Sequence, residues 1–138
     1  MRKSVDWEAL RQFRESHNPF AYELGIRLHE MQERRAEALL CIEEKHMNIN
    51  GVVHGGVLMA LADTAGGAAC SYLDEPLSTV DLQYRFLRPV QLGDVVFAEA
   101  EVEKEGGSLL VVTVRLMVGP VLVGISTASF YRMRRKSQ

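Results

Sequence analysis

Two cysteines in 138 residues are too few for a disulfide framework. Cys41 and Cys70 are embedded in apolar stretches, so they read as reduced core thiols and not as part of a zinc site. An excess of positive charge is missing as well: 16 lysines and arginines stand against 18 acids, a net charge of -2. Nucleic-acid binding requires a basic face to contact phosphates, so this balance excludes nucleic acid as a partner. Basic residues gather only in the tail Arg132, Arg134, Arg135 and Lys136, which reads either as a solvated C-terminus or as a local anchor for a phosphate-bearing ligand. No uncharged run approaches the ~18 residues of a membrane span. The basic start Met1-Arg2-Lys3 is followed by Asp6, Glu8 and Arg11, where a signal peptide carries its apolar segment, and a cytoplasmic protein without membrane association is expected.

Apolar residues are abundant, at 47%. A chain of this length buries roughly two-thirds of its unfolded surface, and one domain over residues 1–138 with no linker is expected. Trp7, Leu10 and Phe13, with charges between them, predict a short amphipathic helix over about residues 6–15, capped by Asp6 or Ser4. Gly25–Glu33 and Arg35–Glu44 read as a hairpin turning near Gln32-Glu33-Arg34. After a loop rich in Asn and Gly, one long helix runs from Gly55 or Gly56 to about Tyr72, closed by Asp74-Glu75-Pro76. Four strands follow: Leu77–Phe86, Asp94–Lys104, Ser108–Val118 and Val121–Met133. There is no βαβ alternation, so the class is α+β with an antiparallel sheet of about six strands. Such a sheet buries the long helix only by curling round it, unless a second subunit covers Leu58, Leu61 or Met59 on the far side.

Within that helix every turn around Asp63 is apolar or small. A helix of this kind belongs in the interior, where an ionised carboxylate is costly unless compensated, so Asp63 is either a structural acid held by Thr64 or Asn48 or a chemical group. As a chemical group it could attack a carbonyl carbon or deprotonate a water. The glycines after His54 start the helix, and the free N–H groups and dipole there suit a developing oxyanion. Eight residues separate Gly55 from Asp63, ~12 Å along a helix axis, so one helix cannot bring both to one carbonyl. If they cooperate, they come from two antiparallel helices across a two-fold axis, with Ala62, Ala65, Gly66, Gly67 and Ala68 allowing close approach. His54 can fix the preceding loop together with Asn48. A metal set of His46, His54 and Asp63 lacks a fitting spacing, so no metal is expected. Cys70 and Ser71 sit on no nucleophile elbow.

The segment Asn48-Ile49-Asn50-Gly51-Val52-Val53-His54-Gly55-Gly56, followed by Ala60-Leu61-Ala62-Asp63, resembles the signature of the hot-dog-fold acyl-CoA thioesterases. The branch it resembles is the phenylacetate-pathway (PaaI-like) part of the 4-hydroxybenzoyl-CoA thioesterase superfamily. The likeness continues through Thr79-Val80-Asp81-Leu82, Phe86-Leu87-Arg88-Pro89-Val90 and Gly93-Asp94, roughly residues 20 to 132. It implies a hot-dog fold that hydrolyses an aryl or short- to medium-chain acyl-CoA, with Asp63 as nucleophile or general base. The Gly55 N–H would polarise the thioester carbonyl, Asn48 and His54 would orient the carbonyl loop and water, and Thr79 would help position the attacking water. Coenzyme A is expected along Phe86, Leu87, Arg88 and Pro89 and at the turn of Lys104, Gly106, Gly107 and Ser108. The resemblance also implies a homodimer with shared sites, paired into a homotetramer, and no cofactor beyond the coenzyme A of the substrate. The N-terminal helix lies outside the strong likeness and is expected to cap the acyl pocket. Two alternatives stay open: a hot-dog dehydratase and a non-catalytic acyl-CoA-binding module.

Overall fold

The structure, a computed structural model, describes residues 4–133, so Met1–Lys3 and the tail residues Arg134, Arg135 and Lys136 lie outside it. Helix α1 spans Trp7–Ser16, its first turn capped by the Asp6 carboxylate, which accepts from the Ala9 N–H at 3.0 Å. Of the expected apolar stripe, Trp7 and Leu10 pack inward. Phe13 is 57% exposed and instead stacks on His17 at 4.1 Å.

A second helix, α2 (Pro19–Leu24), occupies a stretch to which the sequence reading assigns no element. Its signals are short-range: Pro19 is pre-set for the first helical position, and Gly25 closes the helix at φ 98°, a left-handed conformation suited to glycine. Strand β1 therefore begins later than expected and runs Arg27–Gln32; β2 runs Arg35–Cys41 and stops before a single 3-10 turn at Glu44–His46. The cysteine at that strand end, Cys41, is exposed, against the expectation of two core thiols; Cys70 is buried.

Helix α3 spans Gly55–Ala69 and gives way to a 3-10 turn at Ser71–Leu73, slightly short of the expected end. Then come β3 (Leu77–Phe86), β4 (Val95–Glu105), β5 (Leu109–Val118) and β6 (Val121–Arg132). All pairings are antiparallel, in the order β1-β2-β4-β5-β6-β3. Period-two alternation sends Val96, Ala98, Ala100 and Val102 of β4 and Leu110, Val112, Val114 and Leu116 of β5 to the concave face. The sheet curls over α3, so Leu58 and Leu61 are buried at 4% and 0% exposure without help from another subunit.

Curling does not enclose the helix. Gly56, Met59, Ala60, Asp63, Thr64 and Gly67 recur at helical spacing and form a stripe that stays partly or wholly open. Asp63 is thus half-buried, and the expectation of a carboxylate sealed in an apolar interior is corrected. The small residues are corrected too: Gly66 admits the Phe130 ring of β6, and Ala62, Ala65 and Ala68 pack into the chain's own core. Their smallness serves helix–sheet contact, leaving Gly56, Ala60 and Gly67 as the small residues of the open stripe. Beside that stripe runs β3, an edge strand whose Val80 and Phe86 are 58% and 55% exposed.

Inside the sheet, Tyr84 of β3 lies across Gly124 of β6. A Cβ at position 124 would overlap the phenol oxygen and stand 2.5 Å from the ring carbon that bears it. The Tyr84 hydroxyl is buried without a hydrogen-bond partner among the described residues, and burial pushes its pKa up. Gly124→Ala should therefore cost ~1–3 kcal/mol by overpacking, read as a drop of several degrees in Tm. Pairing it with Tyr84→Leu should recover part of that loss; an unchanged Tm in the single variant would refute the packing argument. Among the described residues, no helix is long and apolar enough to cross a membrane.

Candidate active site

The loop that delivers α3 is built by side chains turned onto backbone. His46 is fully buried; its Nδ1 accepts from the Glu43 N–H at 2.8 Å, and its Nε2 donates to the Leu24 carbonyl. This ties the loop to α2, a structural duty that the sequence alone did not assign to His46. Asn48 Oδ1 accepts from the Asn50 N–H at 2.8 Å and from the Val52 N–H at 3.4 Å, closing the 48–52 turn. The His54 N–H then donates to the His46 carbonyl at 2.8 Å.

His54 is the N-cap of α3, with Nδ1 accepting from the Gly56 N–H at 2.8 Å. This bond spends the first free N–H of the helix after Gly55 on the loop's own side chain. The Gly55 N–H, one position earlier, has no acceptor among the described residues. It stands at the positive end of a 15-residue helix, a ready donor to an oxygen anion. The Phe86 ring lies over this point, 3.0 Å from where a Gly55 Cβ would be, and packs at 4.4 Å against Tyr84.

Two turns on, the Thr79 hydroxyl donates to Asp63 Oδ1 at 2.8 Å. Thr79 reaches the helix from the start of β3, next to the irregularity between Thr79 and Asp81 that shifts the strand's register against β6. Asp63 Oδ2 and the hydroxyl lone pairs remain available for a water. Both residues line a cleft of about 240 Å³ that also receives Thr64, Gly67, Arg14 and Asn18. The last two come from α1 and the start of α2, so the N-terminal segment does border this cleft. Sequence reasoning named neither residue, although Arg14 follows Trp7 and Leu10 at i+7 and i+4, on the inward face of α1.

The structure thus assembles Asp63 with Thr79 at one place, and Gly55 with His54, Asn48 and Phe86 at another. Helix α3 and β3 run in opposite directions, so Thr79 meets Asp63 while Phe86 meets Gly55. The expected coenzyme A residues divide in the same way. Leu87 and Arg88 hang from the Val123 carbonyl and border an open groove of about 610 Å³ beside Pro120, at the Gly55 end; the exposed Pro89 follows them. The turn of Gly106, Gly107 and Ser108, which follows Lys104, lies at the Asp63 end, where Arg132 donates to the Gly106 carbonyl at 2.9 Å. Seven residues of strand from Thr79 to Phe86 span ~23 Å, so one chain does not bring the two halves together. Arg132, read as a possible phosphate anchor, is committed to a bidentate pair with Glu75 at 2.7 and 2.8 Å. Arg134, Arg135 and Lys136 of that tail lie outside the described residues.

Residues 50–125 match the thioesterase superfamily. The chain belongs to that family. Membership places it among thioester hydrolases, and the fold agrees. The E. coli PaaI protein of the phenylacetic acid degradation operon superposes with a TM-score of 0.84 at 26% identity, covering 88% of this chain and 89% of PaaI. The TT0310 protein of Thermus thermophilus gives 0.81 at 26% identity, over 85% and 99% of the two chains. The curved six-stranded sheet round one helix is therefore the hot-dog fold. In sequence, mouse acyl-coenzyme A thioesterase 13 is 31% identical over 85 residues, which are 58% of this chain and 61% of the mouse protein. A Pseudomonas aeruginosa protein provisionally named as an esterase is 33% identical over 102 residues, 72% of this chain and 76% of its own.

Proposed function

We propose that the protein hydrolyses acyl-CoA thioesters, with Asp63 as the general base. The observation that carries this reading is the Thr79–Asp63 hydrogen bond on the wall of the 240 Å³ cleft. Thr79 spends its proton on Oδ1 and so holds the carboxylate with Oδ2 turned to a water, while its own lone pairs receive that water's second hydrogen. Asp63 takes one proton as the water oxygen bonds to the thioester carbon. The carbonyl oxygen becomes negative and is stabilised by the Gly55 N–H and the α3 dipole. Collapse of the intermediate breaks the C–S bond, and the thiolate leaves and recovers the proton. A thiolate is a good leaving group, so its departure needs no separate acid, and the second carboxylate of the cleft, Glu75, is held by Arg132.

The ~12 Å between Gly55 and Asp63 requires that they serve one carbonyl from two chains. The open stripe of α3 and the unpaired edge of β3 are the surfaces through which two copies would meet antiparallel, each lending its Gly55 to the other's Asp63. The same pairing would bring Phe86–Pro89 of one chain toward Lys104–Ser108 of the other, forming one coenzyme A path. A dimer of such dimers and a cytoplasmic setting, where coenzyme A thioesters are available, complete the reading.

The test is thiol release from a panel of aliphatic and aryl acyl-CoAs, with binding followed in parallel by calorimetry. Release with at least one class supports hydrolysis. Binding of the whole panel without any release would instead support a non-catalytic acyl-CoA-binding module.

A further inference from the structure

The cleft beside Asp63 contains a cation, Arg14, that no carboxylate pairs with among the described residues. Arg14 reaches across from α1 so that its Nη2 lies 3.3 Å from the position a Gly67 Cβ would take. Desolvation there lowers its pKa, and among the described residues no carboxylate or carbonyl hydrogen-bonds or ion-pairs with the guanidinium. The acids of the same cleft are otherwise engaged: Glu75 is held by both nitrogens of the Arg132 fork, and Asp63 accepts from Thr79. Nor does Arg14 serve as a C-terminal cap, since it makes no hydrogen bond to the last carbonyls of α3. Asn18 faces the same space. It is the N-cap residue of α2 but spends no side-chain hydrogen bond on that helix, so its amide is free to donate into the cleft.

A guanidinium withdrawn from water without a partner is a standing cost in a folded protein, and a ligand carboxylate would relieve it with two parallel charge-assisted hydrogen bonds. Position fixes the kind of ligand. Asp63 and Gly67 are one helical turn apart, ~6 Å along α3, so a thioester carbonyl poised at Asp63 has its acyl chain directed toward Arg14. We propose that the cleft selects thioesters whose short acyl chain ends in a carboxylate, with Arg14 as the counter-charge and Asn18 as a second donor. This rests on the hydrolase reading above for the position of the carbonyl. It narrows the substrate to mono-coenzyme A thioesters of dicarboxylic acids about as long as glutarate or adipate, whose two carbonyl ends lie about one helical turn apart. A simple alkyl chain would leave the arginine unpaired.

The experiment compares pairs of equal chain length, glutaryl-CoA with valeryl-CoA and adipyl-CoA with hexanoyl-CoA, against enzyme-free blanks. In the wild-type full chain, kcat/KM should favour the carboxylated member of each pair by about tenfold or more, chiefly through KM. Arg14→Met should lower that ratio by about tenfold or more, and Arg14→Lys should retain part of it, since an ammonium keeps the charge and loses the fork. A merely structural Arg14 would lower both rates together and leave the ratio unmoved, which would overturn the proposal, as would a wild-type preference for the uncharged chains. Calorimetry with Asp63→Asn separates this proposal from the hydrolase reading. Tighter binding of adipyl-CoA than hexanoyl-CoA, lost on adding Arg14→Met, sustains the carboxylate site even if no thioester is turned over. Equal binding of the two sinks it whatever the turnover.

Discussion

Replacing Asp63 by asparagine is expected to lower kcat for thiol release by ~100-fold or more while KM for the acyl-CoA changes little. The substitution is nearly isosteric, and the asparagine carbonyl oxygen can still accept from the Thr79 hydroxyl, which donates at 2.8 Å to Asp63. Local geometry is therefore kept and only the carboxylate proposed as base is removed. Because the carboxylate sits half-buried on the open stripe of α3, the change removes no sealed charge, and Tm should move by no more than a few degrees. Thr79→Val is expected to act in the same direction with a smaller loss, because the carboxylate remains but swings freely. Stopped assays with a thiol reagent measure both variants. Turnover by Asp63→Asn at the wild-type rate would remove that residue from the chemistry.

Gly55→Pro tests the other half of the site. Proline is tolerated at the first position of a helix, and it deletes only the N–H that would polarise the carbonyl. The backbone before it is already suitable: His54 has φ -63° and ψ 129°, the extended region that a residue preceding proline prefers. The ring would press on Phe86, whose side chain is 55% exposed at the end of β3 and has room to turn aside. Removing one oxyanion donor in this way is expected to reduce kcat by ~100- to 1000-fold in a folded protein. Mixing then decides which chain supplies which group. If Gly55 and Asp63 serve each other across a two-fold axis, co-refolded Gly55→Pro and Asp63→Asn chains form mixed dimers with one intact site each. Random pairing would restore about a quarter of wild-type activity. If each site is complete within one chain, mixing restores nothing.

Several parts of this molecule were legible in its amino-acid order because their causes are local. Asp6 as a cap, the glycines at the start of α3 and the alternation of Val96 to Val102 each depend on neighbours a few positions away. The spacing of Gly55 and Asp63 was legible for the same reason, since the rise of a helix is set by its backbone. Helix α2 could have been read too, from Pro19 and Gly25, but its six residues are too few to display a periodicity. What misled was the uniformity of α3. A segment apolar on every side carries no sign of which face the sheet will cover, so Asp63 read as sealed in the interior although it lies on the open stripe. Cys41 misled similarly: one residue past the last inward position of β2, the alternation turns it outward.

The sequence by itself determined the α+β class, the antiparallel sheet of about six strands, the loop that presents Gly55 and the separation of Gly55 from Asp63 along one helix. Each follows from periodicity, turn residues or helix rise, which are properties of contiguous chain. Only the tertiary structure decided that Thr79 holds Asp63, that Glu75 neutralises Arg132, and that Arg14 reaches the same cleft unpaired. These contacts join residues 16 and 57 positions apart, and Arg14 lies beside Gly67, 53 positions on, distances over which no local rule acts.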